Sequence, residues 1–123
     1  MRVSREQFEG LVARALDGLP ENFAKLLDNV AVVVEEEPGD ELLAEMGIDP
    51  DDPDRDELFG LYQGVPLNDR GASYSQLPDR VTVFRGPILR ACTSRREVMR
   101  EVRDTVVHEL GHHFGLEDAD MPY

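Results

Sequence analysis

The 123-residue chain has little cysteine, since Cys92 is its one cysteine. A lone cysteine can form neither an intrachain disulfide nor a thiolate metal site, so we expect Cys92 to serve as a small packing residue. Apolar runs are short compared with the roughly 20 residues that a membrane-spanning helix needs. The first residues also lack the apolar core of a secretion signal. From these absences we expect a cytoplasmic protein.

Basic residues are half as many as acidic ones, 13 against 26, which gives a formal net charge of −13. Such a charge repels nucleic acids and anionic membranes, and we expect neither as a partner. It leaves cationic peptides or basic proteins as possible partners. Hydrophobic residues make up 41% of the chain, enough for one buried core. We therefore predict one domain over residues 1–123.

The charge is unevenly distributed along the chain. The segment from Glu35 to Glu57 holds twelve acidic residues and one basic residue, Arg55. The segment from Arg80 to Arg103 holds seven arginines and two acids. A solvated acidic loop is the simpler interpretation of the first segment, and a partner-binding surface is the alternative. The role of this acidic segment stays open at this point.

The spacing of apolar residues indicates two helices, about three strands and a long final helix, which together predict an α+β domain. Ser4 with Gln7, and Ser94 with Glu97, match the capping box that starts a helix. The sheet is expected to be small and mixed, with about three strands. The predicted elements are, in order, a helix over 4–18, a short helix opened by Pro20, a strand over 30–34, a helical turn within 40–46, strands over 57–65 and 80–86, and a long helix over 94–114.

All three histidines of the chain lie near its end, on the last predicted helix. His108 and His112 are four residues apart, so their side chains share one helix face and can converge on one cation. Glu109 lies about 100° around the helix, where it can take a proton from a water beside that cation. This is the physical content of an H-E-x-x-H pattern and indicates a zinc site with a general base.

A catalytic zinc site needs a third protein ligand. Gly115 can adopt a left-handed conformation that ends the helix and turns the chain back, and Asp118 follows three residues later. We therefore predict one Zn²⁺ bound by His108, His112 and Asp118. Glu117 and Asp120 are the alternatives to the aspartate. His113 is expected to be a buried histidine with one hydrogen bond rather than a ligand.

The pattern formed by His108, Glu109, His112, Gly115 and Asp118 resembles the HExxHxxGxxD signature of the Asp-zincin metallopeptidases. With the preceding Val-Thr-Val-Phe-Arg-Gly-Pro-Ile segment, the chain is similar to short bacterial zincin-like metallopeptidases that have a minimal zincin fold. The resemblance implies that a zinc-bound water, activated by Glu109, hydrolyses a peptide bond. It also implies that the strand from Arg80 to Gly86 is the sheet edge along which an extended peptide substrate lies.

The resemblance leaves two alternatives open, because only residues 119–123 follow Asp118. Full-size zincins have a C-terminal subdomain that floors the substrate cleft. The chain is therefore a peptidase, a non-catalytic zinc module that docks a protein partner, or a subunit whose partner supplies the cleft wall. The residue that stabilises the oxyanion is also open. The candidates by residue type are Tyr62, Tyr74, Arg85 and Tyr123.

Overall fold

The structure is a computed structural model that describes residues 2–64 and 79–115. These residues form five α-helices and three strands, as well as 3₁₀ turns at Leu27–Asn29 and Pro53–Glu57. The elements are, in chain order, α1 (Arg5–Asp17), α2 (Glu21–Leu26), β1 (Val30–Glu35), α3 (Asp40–Glu45), β2 (Gly60–Gln63), β3 (Asp79–Phe84), α4 (Arg85–Ala91) and α5 (Arg95–His113). The predicted α+β class with a small mixed sheet is confirmed.

The two predicted capping positions open the two longest helices. The Ser4 hydroxyl accepts the Gln7 amide at 3.1 Å, and the Gln7 side chain accepts the Ser4 amide at 2.9 Å. On α5, the Ser94 hydroxyl accepts the Glu97 amide at 3.1 Å. Each contact satisfies an amide that the first helical turn leaves without a backbone partner. The two helices pack on each other across the core.

The strand order is β1-β3-β2, with β1 parallel and β2 antiparallel to β3. Val81 of β3 lies opposite Val32 on one side and Tyr62 on the other. The prediction of an open sheet edge from Arg80 to Gly86 is therefore wrong. Both sides of that strand pair with neighbours, and its residues 81–84 are buried.

Two strand boundaries also differ from the prediction. Arg85 and Gly86 begin α4 instead of extending the third strand, and Pro87 fits in its first turn because no backbone donor is needed there. The second strand is Gly60–Gln63 rather than 57–65, since Glu57 ends the 3₁₀ turn that starts at Pro53. Val65 lies outside the described residues.

Helix α5 is held against the sheet by an apolar stripe on one face. Val98, Val102, Val106 and Leu110 follow at four-residue spacing, and all are fully buried. The helix contacts both β2 and β3, and this contact brings its last turns beside β2, which among the described residues pairs with β3 alone. Over residues 2–64 and 79–115, no helix has the length and apolar character that crossing a bilayer requires.

Candidate metal and catalytic site

The last two turns of α5 carry His108, Glu109 and His112, the H-E-x-x-H part of the motif. The helix ends at His113, and Gly115 follows with a φ of +83°. That value lies in the left-handed region, as predicted for the residue that turns the chain away from the helix. The predicted third ligand Asp118 lies outside the described residues, as do Glu117 and Asp120.

His108 is half-buried, and its ring is oriented by the backbone of its own helix. Its Nδ1 lies 2.8 Å from the carbonyl oxygen of Asp104. Because a carbonyl can only accept, Nδ1 carries the hydrogen and Nε2 keeps its lone pair. Histidine ligands of metals are commonly fixed in this way, with the second ring nitrogen donating to a carbonyl or carboxylate. His108 therefore presents the nitrogen and the tautomer that a metal requires.

His112 lies one turn further along and is exposed. The ring centroids of His108 and His112 are 6.0 Å apart, and their planes are tilted by 50°. Two imidazoles on one tetrahedral zinc have centroids roughly 5 Å apart, so the observed spacing is about 1 Å wider than that of a zinc-bound pair. Within residues 2–64 and 79–115, no three His, Cys, Asp or Glu side chains converge on a metal position. The structure thus brings together two members of the predicted ligand set.

Glu109 leaves the helix on the side that faces β2. Its Oε1 accepts the backbone N–H of Tyr62 at 3.2 Å. Burial raises the pKa of Glu109 above its ordinary value, although this hydrogen bond and the positions of His112 and His108 act in the opposite direction. The carboxylate is therefore held beside the histidine pair with an increased affinity for a proton.

A cleft of about 350 Å³ borders His108 and Glu109. Its walls are the start of β2 and the preceding turn of α5, which contributes Glu101 and Asp104. Burial raises the pKa of Glu101, and the neighbouring Asp104 carboxylate raises it further. On sequence alone, pairing with neighbouring arginines is the simpler interpretation of Glu101. However, Glu101 precedes His108 by seven residues, so both lie on one face of α5. This spacing was the sequence signal that Glu101 lines the same cleft as His108.

Tyr62 and His113 form an aromatic stack next to the motif, with ring centroids 3.8 Å apart and planes within 14°. The Tyr62 hydroxyl donates to Asp79 Oδ2 at 2.8 Å, and Phe114 packs edge-on against His113. The prediction that His113 is buried is wrong, because the apolar stripe of α5 ends at Leu110 and His113 is exposed.

The candidates for oxyanion stabilisation are only partly covered by the described residues. Tyr62 is engaged with His113 and Asp79, as described above. Arg85 pairs with Glu36 at 2.8 Å and donates to the Val3 carbonyl, which explains it as a structural residue at the start of α4. Tyr74 and Tyr123 lie outside the described residues.

Comparison with known proteins agrees with the motif and the fold. A model of the zincin-like metallopeptidase family matches residues 27–123. Among solved structures, a conserved hypothetical protein from Thermus thermophilus is similar, with a TM-score of 0.54 and 26% identity over 90% of this chain and 94% of that chain. A search of curated proteins found no match. Since the family match covers most of the chain, this protein belongs to the zincin-like metallopeptidase family.

Proposed function

We propose that this protein binds one Zn²⁺ through His108, His112 and Asp118 and hydrolyses peptide bonds with Glu109 as the general base. The observation that carries the proposal is the position of Glu109. Its carboxylate accepts the Tyr62 amide of β2, and Glu109 lies on the same two turns of α5 as His108 and His112. Asp118 enters the proposal from the sequence motif, and family membership supports the whole assignment.

The described donors fit zinc. His108 has its Nδ1 engaged by the Asp104 carbonyl, which leaves Nε2 for a metal, and His112 follows one helical turn later. Zinc accepts imidazole nitrogens and carboxylate oxygens in a four-coordinate shell. When bound, the ion acidifies a water molecule and polarises the carbonyl group of a substrate.

Glu109 moves the proton in this mechanism. Its Oε1 is held by the Tyr62 N–H, and we assign Oε2 to the proton of the attacking water. As the water oxygen bonds to the carbonyl carbon, the proton passes to Glu109 and then to the nitrogen of the leaving amine when the C–N bond breaks.

The outer edge of β2 takes the place of the edge first expected on the central strand. Among the described residues, β2 pairs with β3 alone, on one side. An extended peptide can add to such an edge through backbone hydrogen bonds. Because the Tyr62 amide on that edge is already bound by the Glu109 carboxylate, a peptide on β2 would pair with the other outward-facing backbone groups of the strand and would pass beside Glu109.

Replacing Glu109 by glutamine tests the mechanism. We expect Glu109→Gln to retain one zinc per chain and to lose about 100-fold or more in kcat, the usual contribution of a general base. His108→Ala, His112→Ala and Asp118→Ala should lower the zinc content instead. The exposed Glu6→Gln serves as the matched control. Zinc content by elemental analysis and cleavage of a peptide library by mass spectrometry are the two measurements.

Each outcome separates the alternatives. Unchanged hydrolysis in Glu109→Gln would contradict the mechanism, and substoichiometric metal in reconstituted wild type would contradict the site. Wild type that holds one zinc and cleaves no peptide would support the non-catalytic zinc module. Activity that appears only with a co-purified chain would support the subunit alternative.

A further inference from the structure

Tyr62 connects three parts of the molecule at the proposed site. Its amide donates to Glu109, its ring stacks on His113, and its hydroxyl donates to Asp79. We propose that Tyr62 is a positioning residue that fixes the Glu109 carboxylate against β2. This proposal rests on the proposed function, in which Glu109 is the base.

The pairing of β2 with β3 determines the direction of the Tyr62 amide. Antiparallel residues alternate between facing the partner strand and facing away from it. The Phe84 amide donates to the Phe59 carbonyl at 2.8 Å, so residues 59, 61 and 63 face β3. The amide of Tyr62 therefore points away from β3, towards the outer edge. An outward amide of this kind ordinarily binds water or an added strand, whereas here it binds Glu109.

The side chain of Tyr62 holds β2 and the end of α5 at a fixed distance. The ring lies flat on His113, four residues after Glu109 and therefore one helical turn beyond it. The hydroxyl is anchored to Asp79 at the beginning of β3. Phe114 packs edge-on against both rings of the stack. The hydrogen bond at Glu109 and the stack thus join the same strand to adjacent turns of the same helix.

A shift of β2 relative to α5 changes where the Glu109 carboxylate lies. Loss of the Tyr62 ring removes the stack and the anchor to Asp79, so the last turn of α5 can move relative to β2. The histidine pair is affected less, because His108 is oriented from within the helix by the Asp104 carbonyl. We therefore expect the side chain of Tyr62 to affect the position of the base and to leave zinc binding intact.

Amide hydrogen exchange tests the link without requiring activity or metal. In zinc-free protein, Glu109→Ala should speed exchange of the Tyr62 amide by about tenfold, whereas the Leu61 and Gln63 amides, which face β3, keep their protection. Tyr62→Leu should speed exchange at position 62 similarly, and Tyr62→Phe, which keeps the stack, should not. Wild-type protection at position 62 in Tyr62→Leu would overturn the proposal.

Kinetics test the consequence for the reaction. Tyr62→Leu and His113→Ala should lower kcat by about tenfold at unchanged KM and zinc content, whereas Tyr62→Phe and His113→Phe should restore most of it, since misplacing a catalytic group mainly slows the chemical step. A fall in thermal stability without a kcat effect would show a merely structural role and overturn the proposal. If wild type cleaves nothing, the proposed function fails, and the exchange result still decides whether Tyr62 holds Glu109.

Discussion

At the scale of single residues, the surroundings of each carboxylate on α5 determine its chemistry. Glu97, Glu101 and Glu109 are the same residue type on the same helix. Hydrogen bonds from Thr93 lower the pKa of Glu97, whereas burial raises the pKa of Glu101 and of Glu109. Of the two raised groups, Glu109 receives a backbone hydrogen bond and Glu101 faces a second acid. This difference suits Glu109 to the role of base that we propose, whereas the charged form of Glu101 destabilises the folded protein.

Glu101→Gln should stabilise the protein at neutral pH by no more than about 0.5 kcal/mol, because solvent screens the charge of the partly exposed Glu101 carboxylate. The folded-state pKa of Glu101 is raised by burial and by Asp104, so the charged form costs stability above that pKa. The cost disappears as the pH falls through the folded pKa. Urea unfolding of zinc-free protein at neutral and acid pH measures the difference, with the exposed Glu45→Gln as control. A Glu101→Gln variant less stable than wild type at neutral pH would contradict this account.

Glu97→Gln should show the opposite dependence on pH. The Thr93 amide at 2.8 Å and then its hydroxyl lower the folded-state pKa of Glu97 below 4.5. Its charge therefore contributes stability that is present above the unfolded pKa and is lost as the pH falls through the folded pKa. We expect the variant to be less stable than wild type at pH 7 and equal to it at strongly acid pH. Equal destabilisation at both pH values would assign the effect to hydrogen bonding without charge.

At the scale of elements, the close approach of β2 to α5 brings Glu109 into contact with Tyr62. Gly60 makes this approach possible. A Cβ atom at position 60 would lie 2.5 Å from Cγ2 of Thr105 on α5 and 2.9 Å from the carbonyl oxygen of Thr82 on β3. Both distances are shorter than real Cβ contacts. A larger residue must push β2 away from the helix that carries the motif.

Gly60→Ala should therefore destabilise the protein by about 1–3 kcal/mol, the typical cost of overpacking. Gly60→Ala with Thr105→Ser should recover part of the loss, because the serine lacks Cγ2 while the Thr82 carbonyl contact remains. The control is Gly10→Ala in α1, where a Cβ meets nothing within 4 Å. That change should stabilise the helix by about 0.5–1 kcal/mol. Denaturant unfolding measures all three, and a neutral Gly60→Ala would contradict the packing argument.

At the scale of the whole molecule, the net charge of −13 opposes compaction, while local ion pairs partly offset the repulsion. Arg90 of α4 pairs with Glu37 and Asp56 at 2.8 Å each, and Arg85 pairs with Glu36. These two arginines thus bind acids of the acidic segment. In the described part of the chain, Glu36, Glu37 and Asp56 stabilise the fold in this way.

Salt screens both the repulsion among the acidic residues and the attraction within the ion pairs. We expect the repulsion to be the larger effect at a net charge of −13, so salt should stabilise the protein. Raising NaCl from about 0.01 M to 0.15 M shortens the Debye length from about 30 Å to about 8 Å, and we expect Tm to rise by roughly 4 °C. We expect little further rise in Tm when NaCl is increased above about 0.15 M. Calorimetry of zinc-free protein measures the effect. A Tm that falls with salt would show that the ion pairs outweigh the repulsion.

The sequence determined the local features of this protein. The caps at Ser4 and Ser94, the shared face of His108 and His112, and the turn at Gly115 follow from interactions between residues at most four positions apart. The tertiary structure alone decided that β3 is central, that β2 is the outer strand, and that Glu109 binds the Tyr62 amide 47 residues away. Strand order and such long-range contacts depend on which faces bury the most apolar surface when distant segments meet. Local spacing carries no record of that choice.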